Sequence, residues 1–300
     1  YLLIYCRIVF LIMNNSQKHI DVSLSIKEKI PNIYYKFPKS MFRLVERIIL
    51  QDKMNFIIEQ SAHLQGIEMV NWILKYFGVN VSVQGQELIP SNGRNIFPAN
   101  HPSGGLDGLS ILSEILKIDT HTKFIVNDLL RVIKGLESLC IYIARFGNIN
   151  RKNAIEINEA FSSNINIILH PAGSVSKRNP LNISDLKWNK FFIRKAIQFE
   201  RNVIPIHVEA SNSNLFYNVA TVRKLFFIKS NLEMFLLPRE MFNKKGETIK
   251  ITFGNPIPYN TFDKSRTNYE WAQKVREYVY LIGSKEYSSP SMIPNFNSIL

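Results

Sequence analysis

Apolar residues recur with the spacing of a helix near the start of the chain. From Ser40 to Gly78 they repeat every three or four residues, beginning behind a serine that can cap a helix and ending at a glycine. Residues 13–78 are therefore predicted to form an N-terminal helical region. Its apolar stripe either packs in a core or rests on a membrane, where Lys39, Arg43 and Arg47 would lie at the level of the lipid headgroups.

Short β-rich runs alternate with helical stretches after Gly78. The predicted strands are Val79–Val83, Asn95–Ala99, Lys123–Val126, Ile165–Leu169, Val203–Val208 and Ile249–Phe253, and the predicted helices are Leu106–Leu116, Lys152–Phe161 and Asn189–Glu200. This alternation predicts an α/β fold, with a central mixed β-sheet flanked by helices over residues 79–284 and the helical subdomain before it. The polar tail 285–300 contains Pro290 and Pro294 and is predicted to be loosely held.

The composition allows a large core and favours anionic partners. Of the 300 residues 46% are hydrophobic, and 37 Lys and Arg against 24 Asp and Glu give a formal charge of +13. Nucleic acid, anionic lipid headgroups, the phosphates of coenzyme A and an acidic carrier protein all satisfy this charge. The two cysteines, Cys6 and Cys140, give neither a disulfide framework nor a metal-ligand pattern, which fits a reducing compartment.

The first residues form a short apolar stretch. Residues 1–13 are apolar apart from Arg7, but they fall short of the about 20 residues that a spanning helix needs. They lack the basic start and the small-residue cleavage site of a signal peptide. Residues 1–12 are interpreted either as a fragment edge or upstream read-through, or as a short anchor in the membrane interface.

The segment from Asn100 to Gly108 carries the strongest chemical signal. It follows a predicted strand and precedes a predicted helix, which is where α/β folds place their sites. His101 and Asp107 flank a Gly-rich turn, so the carboxylate can accept a hydrogen bond from one ring nitrogen and leave the other as a base. Because no Ser or Cys nucleophile is obviously placed beside them, a hydroxyl of the substrate is predicted to attack. On spacing alone, a structural alternative stays open in which Asp107 only caps the helix.

Three further segments follow at strand ends or helix starts. Phe146–Arg151 puts a basic residue after a glycine turn, His170–Arg178 follows a predicted strand, and Val203–Ile206 is an apolar run with a proline. With the His-Asp segment, these resemble in order the four blocks of the glycerolipid acyltransferase superfamily, the PlsC-like enzymes that acylate glycerol phosphate and lysophosphatidate. Further motifs are similar to those of a bacterial branch with an N-terminal helical extension, namely Asp185–Trp188, Asn212–Ser213 and Asn231–Met234.

The chain departs from the superfamily pattern in two blocks. His101 and Asp107 enclose five residues instead of the usual four, so the loop must bulge, and the glycines of the turn are expected to absorb the extra residue. In the third block Ala172 and Val175 stand where Glu and Arg are usual. This second departure weakens the case for lysophosphatidate as the acceptor.

The resemblance implies an O-acyltransferase of membrane lipid biosynthesis. His101 would deprotonate a hydroxyl of a lysolipid such as 1-acylglycerol-3-phosphate, and Asp107 would orient the imidazole. The alternatives are a lyso-aminolipid acceptor and a catalytically inactive membrane-binding relative. The acyl donor would be acyl-CoA or acyl-carrier protein, with no metal and no further cofactor. The residues expected to bind substrate are Arg151, Gly173, Ser174, Lys177 and Arg178, and backbone N–H groups near Gly104 or Gly173 are expected to hold the oxyanion.

Partners and rival functions follow from the same residues. The expected partner surface is an anionic membrane, with the protein peripheral or monotopic on the cytoplasmic face of the inner membrane. Nucleic acid is not expected, because the basic residues are spread along the chain and no recognition motif occurs. A His-Asp hydrolase is a rival that would use Ser103 as nucleophile. His170 and His207 lie in strand-like runs and are interpreted as packed histidines.

Overall fold

The chain folds around a mixed β-sheet with helices on both faces. In this computed structural model the described residues are 20–29, 31–36, 38–90, 93–143, 151–180, 182–228, 231–287 and 292–300. The strands are β1 (Asn80–Gln84), β2 (Ile96–Pro98), β3 (Thr122–Asn127), β4 (Cys140–Ile143), β5 (Asn166–Leu169), β6 (Lys177–Arg178), β7 (Ile183–Ser184), β8 (Ile206–Glu209) and β9 (Thr248–Phe253).

Helices of different lengths surround these strands. They are α1 (Val22–Lys29), α2 (Pro31–Tyr34), α3 (Lys39–Ile48), α4 (Gln51–Gln60), α5 (Gly66–Tyr76), α6 (Gly105–Ile118), α7 (Arg151–Ser162), α8 (Phe191–Phe199), α9 (Asn214–Leu225), α10 (Leu237–Asn243) and α11 (Asn268–Ile282). Short 3₁₀ helices lie at Gln86–Leu88, Asp128–Val132, Lys134–Leu139, Leu232–Leu236, Tyr259–Thr261, Lys285–Tyr287 and Phe296–Ile299.

Seven of the nine described strands form two hydrogen-bonded groups that meet at β2 and β8, and β6 and β7 form a separate antiparallel pair. The orders of the two groups are β1-β9-β8 and β2-β5-β3-β4, and parallel bridges from Ile96 to Val203 and from Ala99 to Ile206 join them. Within these groups neighbouring strands are parallel except for the antiparallel pair β8 and β9, so the sheet is mixed. The predicted α/β class with a central mixed sheet is confirmed. Strand β2 lies near the middle of this order, which places the loop after it at the centre of the carboxyl edge.

Helices cover the sheet on both faces, and two large apolar clusters result. One cluster joins β-strand residues to α5 and α6, and the other joins them to α7, α8 and α11. The strands β2 and β5 are buried along their whole length, as expected for parallel strands covered on both faces. Because Met69 and Ile73 of α5 belong to the first cluster, the last part of the predicted helical region packs in the core of the sheet. The earlier helices form a separate small cluster that includes Phe42 and Ile58.

Every predicted strand and helix has a counterpart, with shifts at its ends. The largest shift concerns the strand predicted over Val203–Val208, where regular pairing begins only at Ile206 because Val203 makes isolated bridges. Strand β4, the two-residue strands β6 and β7, and the helices α9, α10 and α11 were not predicted. Short strands offer too few residues for a period to be visible.

The C-terminal segment is packed, in contrast to the expected loose tail. Ile293 and Phe296 are buried against α11, and the Tyr278 hydroxyl donates to the Pro294 carbonyl at 2.6 Å. Ile293 and Phe296 therefore dock residues 292–300 on the domain. The interpretation of residues 1–12 and the block Phe146–Asn150 lie outside the described residues, and the domain boundary at residue 78 stays a prediction.

Candidate active site

The loop between β2 and α6 is held in place by a buried amide. The Asn100 side chain donates to the Val208 carbonyl at 2.9 Å and accepts from the Val208 N–H at 2.6 Å, which ties the loop to β8. The Ala99 N–H donates to the Leu169 carbonyl at 3.0 Å on the other side. The next residue, His101, is thereby fixed between two strands at the carboxyl edge of the sheet.

His101 and Asp107 are brought together, as the sequence predicted. His101 Nδ1 lies 3.3 Å from Asp107 Oδ2, with 21% of the histidine side chain exposed and the carboxylate fully buried. This distance is just beyond the usual range of N–H···O hydrogen bonds, so the contact is at most a long hydrogen bond. Since Nδ1 faces the carboxylate, Nε2 is the ring nitrogen that a substrate can reach.

Gly104 makes the turn of this loop possible, and that it absorbs the extra residue stays a prediction. Gly104 has φ +115° and ψ −137°, a backbone conformation open to glycine and strained for other residues. It lets the chain turn into α6 with Asp107 in the first helical turn. The carboxylate accepts from the Ser103 N–H at 2.7 Å and from the Gly104 N–H at 2.9 Å, which caps the helix. Asp107 therefore both caps α6 and faces His101, so the structural and chemical interpretations hold together.

Asp107 is ionised at neutral pH. Burial alone would raise the pKa of this carboxyl, but the hydrogen bond and charge of His101 and two hydrogen bonds from Ser103 lower the pKa below its usual value of 3.8. The Ser103 hydroxyl donates to Asp107 Oδ1, not to His101. This arrangement gives no support to the rival hydrolase in which Ser103 would be the nucleophile.

The ring of His170 stacks on the ring of His101. The ring centroids are 4.0 Å apart with an interplanar angle of 14°. The Phe124 ring packs against His170 in a T-shaped arrangement. His170 Nδ1 lies 3.1 Å from the Ala99 carbonyl oxygen, and because that oxygen only accepts, Nδ1 carries the proton. Burial, followed by the charge of His101, lowers the pKa of His170 to about 3. His170 is thus a neutral platform for His101, beyond the packing role that the sequence suggested.

A buried carboxylate holds the backbone of His101. Asp185 Oδ1 accepts from the His101 N–H at 3.2 Å and from the Ser176 hydroxyl at 2.6 Å, and Oδ2 accepts from Trp188 Nε1 at 2.9 Å. The Ser176 N–H in turn donates to the His101 carbonyl at 2.7 Å. Burial raises the pKa of Asp185, although these donors act against the rise. The hairpin of β6 and β7 thus positions His101 from the side opposite Asp107.

The expected substrate-binding residues are placed unevenly. Arg151 is exposed at the first position of α7, Gly173 turns with φ +65°, and Ser174 is half-buried in the same turn. Lys177 Nζ is 3.3 Å from Glu233 Oε1 in a nearly buried ion pair. Arg178 donates to Asn214 and Asn218 and covers the Tyr217 ring.

The expected oxyanion donors are already engaged. The Gly104 N–H donates to Asp107, and the Gly173 N–H donates to the His170 carbonyl at 3.0 Å. Neither N–H group points to a substrate in this arrangement. These two N–H groups are therefore engaged within the protein, and the expectation of oxyanion donors near Gly104 or Gly173 stays a prediction.

Sequence reasoning missed the supporting roles of His170 and Asp185. Both are visible in the sequence, His170 at the end of a strand and Asp185 in a motif that was noted only for its resemblance. The signal that could have found His170 is its place at the carboxyl end of β5, next to β2, because parallel neighbours bring their ends together. No comparable signal exists for Asp185.

The contact between His101 and the buried Asp107 carboxylate is an arrangement suited to general-base chemistry. In the described part of the chain, no group of three His, Cys, Asp or Glu side chains could hold a metal ion. The profile of the acyltransferase family matches residues 24–288. The chain belongs to this family of PlsC-like acyltransferases and is an acyltransferase.

Two curated relatives are similar to nearly the whole chain. A lyso-glycine lipid O-acyltransferase of Bacteroides thetaiotaomicron is 38% identical over 263 residues, which is 87% of this chain and 96% of the relative. A lyso-glycine lipid O-acyltransferase of Phocaeicola vulgatus is 36% identical over 262 residues, covering 87% and 94%. Among solved structures, the 1-acyl-sn-glycerophosphate acyltransferase PlsC of Thermotoga maritima aligns with a TM-score of 0.43 at 15% identity, covering 82% of this chain and 93% of that one.

Proposed function

We propose that this acyltransferase transfers a fatty acyl group from an acyl thioester to a hydroxyl of a lyso-aminolipid with a glycine headgroup. The observation that carries the proposal is the pair of relatives named lyso-glycine lipid O-acyltransferase, which match this chain over 87% of its length. The His101–Asp107 contact supports an active enzyme over an inactive relative, because a histidine base needs a carboxylate to orient it. The lyso-aminolipid alternative is thus favoured over 1-acylglycerol-3-phosphate.

The proposed mechanism uses the acceptor hydroxyl as the nucleophile. His101 Nε2 takes the hydroxyl proton while the oxygen attacks the thioester carbonyl carbon, and Asp107 stabilises the imidazolium that forms. When the tetrahedral intermediate collapses, the C–S bond breaks, and the imidazolium returns its proton to the leaving thiolate. The new ester bond joins the acyl group to the acceptor oxygen, and His101 is neutral again.

The third block disfavours a phosphate on the acceptor. Where the superfamily usually has an Arg, Val175 is buried and packs with Phe216 and Tyr217. The two basic residues of this block that were expected to bind substrate are engaged as well. Lys177 is paired with Glu233, and Arg178 donates to asparagine side chains. A glycine headgroup carries a single carboxylate, so it needs fewer free cationic side chains on this surface than a phosphate does.

The donor and the location complete the proposal. Acyl-CoA or acyl-carrier protein supplies the activated acyl group, and the net charge of +13 suits either one. The lipid acceptor requires access to a bilayer, so the protein is proposed to bind peripherally or monotopically at the cytoplasmic face of the inner membrane. Among the helices that the structure describes, none has the length and apolar character to cross a bilayer.

The test is acyl transfer by the purified protein. Labelled acyl-CoA or acyl-carrier protein is offered with a lyso-glycine lipid, another lyso-aminolipid or lysophosphatidate, and labelled product lipid is measured. We expect transfer to the lyso-glycine lipid that is lost in His101→Ala. The matched control is His121→Ala, because His121 makes the same 3.3 Å contact with Asp119 while 78% of its side chain is exposed. Transfer to lysophosphatidate alone, or full activity of His101→Ala, would contradict the proposal.

A further inference from the structure

An exposed apolar surface lies at the C-terminal end of α9. Leu225, Phe226 and Phe227, here called the α9 tip, expose 71%, 72% and 91% of their surface. Val222, one turn earlier, is 49% exposed. Three consecutive large apolar residues in contact with water are costly unless another surface covers them. The mechanism proposed above gives the α9 tip no role.

The α9 tip is held rigidly by a buried ion pair. Arg223 Nε lies 2.5 Å from Glu233 Oε2, and its guanidinium also donates to the Ile228 carbonyl at 3.0 Å and to Asn231 Oδ1 at 2.6 Å. Phe227 adopts φ +55°, which is uncommon for a residue other than glycine. Buried polar contacts on both sides thus fix the aromatic residues in an outward position.

Cationic side chains accompany this apolar surface. Lys224 is exposed within the last turn of α9. The 3₁₀ helix Leu232–Leu236 packs against α9 and also against α3, where a groove of about 420 Å³ opens. Arg47, Lys53 and Arg239 line this groove together with Leu236, and none of the three forms an ion pair within the described residues. Apolar insertion beside unpaired cations is the chemistry that an anionic bilayer recognises.

Helix α9 begins beside the catalytic loop. Asn212, just before the helix, donates to the Pro102 carbonyl at 3.5 Å, and its N–H donates to the Tyr217 hydroxyl at 3.1 Å. A helix of 12 residues spans about 18 Å, which sets the distance between the loop and the α9 tip.

We propose that the α9 tip inserts into the interface of an anionic bilayer, with Lys224 and the cationic groove contacting the lipid headgroups. The docking places the loop of His101 within one short helix of the lipid surface. It rests on the proposed function in one respect, since a lipid acceptor is what makes this proximity useful. A second copy of the chain is the competing occupant of the apolar residues.

The experiment measures flotation with vesicles of phosphatidylcholine alone or with a share of phosphatidylglycerol. The test variant is Phe226→Ser/Phe227→Ser. The matched control is Ile155→Ser/Ile197→Ser, which removes residues that are 48% and 38% exposed on α7 and α8. We expect binding to the anionic vesicles to fall about ten-fold or more in the test variant only. Raising the salt from 0.1 to 1 M shortens the Debye length to about 3 Å and should weaken binding of the wild-type protein.

Activity separates this inference from the proposed function. With acceptor in detergent micelles, both double variants should match the wild type, whereas with acceptor in vesicles only the test variant should lose activity. Wild-type transfer in micelles without vesicle binding, or equal binding by the test variant, would overturn the docking and leave the function intact. Flotation that depends on the α9 tip, without any acyl transfer, would support the docking and contradict the proposed function. If the wild-type protein is a dimer and the test variant is a monomer with unchanged vesicle binding, the surface is assigned to a second copy of the chain.

Discussion

Replacing Asp107 with asparagine isolates the charge that faces His101. The asparagine oxygen can take the place of Oδ2 and still accept from the N–H groups of Ser103 and Gly104. The Ser103 hydroxyl can rotate to accept from the new amide. The variant therefore keeps the cap of α6 and should fold, with a loss of about 1 kcal/mol from the missing charge at the helix N-terminus.

The loss of activity can be worked from the distance. Two unit charges 3.3 Å apart interact with about 5 kcal/mol at an effective dielectric constant of about 20. Solvent reaches the exposed fifth of His101 and reduces this to roughly 3 kcal/mol. Because the imidazolium exists only along the reaction, the loss appears in kcat as a decrease of about 150-fold.

The assay compares kcat, KM and the melting temperature of both forms. The control is Asp119→Asn, because Asp119 faces the exposed His121 at the same distance of 3.3 Å, and its activity should stay within about two-fold of the wild type. A wild-type kcat in Asp107→Asn would refute the reasoning. So would a loss that disappears on cooling below the melting transition, because the carboxylate would then be only a structural cap.

Further predictions concern the residues around the base. Asp185→Asn turns an amide donor toward Trp188 Nε1, so unfolding free energy should fall by about 1–3 kcal/mol, with kcat reduced more than KM is raised, measured by denaturation and kinetics. The pKa of His170 is lowered from 6.5 to about 3 in the folded protein. As the pH drops below 6.5, only the unfolded chain therefore binds a proton on this ring. The free energy of unfolding should fall from this cause by about 1.4 kcal/mol per pH unit until about pH 3. His170→Phe should remove the His170 share of this slope between pH 7 and pH 5, whereas the share of His207, whose pKa burial lowers to about 4, should remain. Gly108→Ala would put a Cβ atom 2.4 Å from Phe124 Cε1, so the melting temperature should fall by an amount equivalent to about 1–3 kcal/mol.

The central pair could be predicted because all of its determinants are local. A histidine at a strand end and a carboxylate in the first turn of the next helix are joined by one short loop, so spacing and glycine content fix their approach. His170 depends on a longer-range fact, the register that pairs Pro98 with Leu169. A register shift of one residue would have turned its side chain to the other face.

The contribution of Asp185 was beyond sequence reasoning because it depends on the hairpin of β6 and β7. Each strand has two residues, which carry no period, and the loop between them determines where Asp185 arrives. The positions of the larger strands followed from their apolar runs, whereas α9 and α10 were missed. Helix α9 packs through Phe216 and Tyr217 on a small cluster around Val175, so its sequence has no broad apolar stripe, and α10 has only seven residues.

The third block ties acceptor choice to the placement of α9. Val175 sits in the small cluster that supports α9, and Lys177 is joined through Glu233 to Arg223, next to the α9 tip. Lys177 and Arg223 together neutralise the buried Glu233 carboxylate, so turning Lys177 to a phosphate would remove one of its two cationic partners. The stretch in which the superfamily usually carries an Arg serves here to fix the helix that leads to the α9 tip. The proposed loss of a phosphate contact and the proposed lipid-facing role of the α9 tip would both follow from this packing.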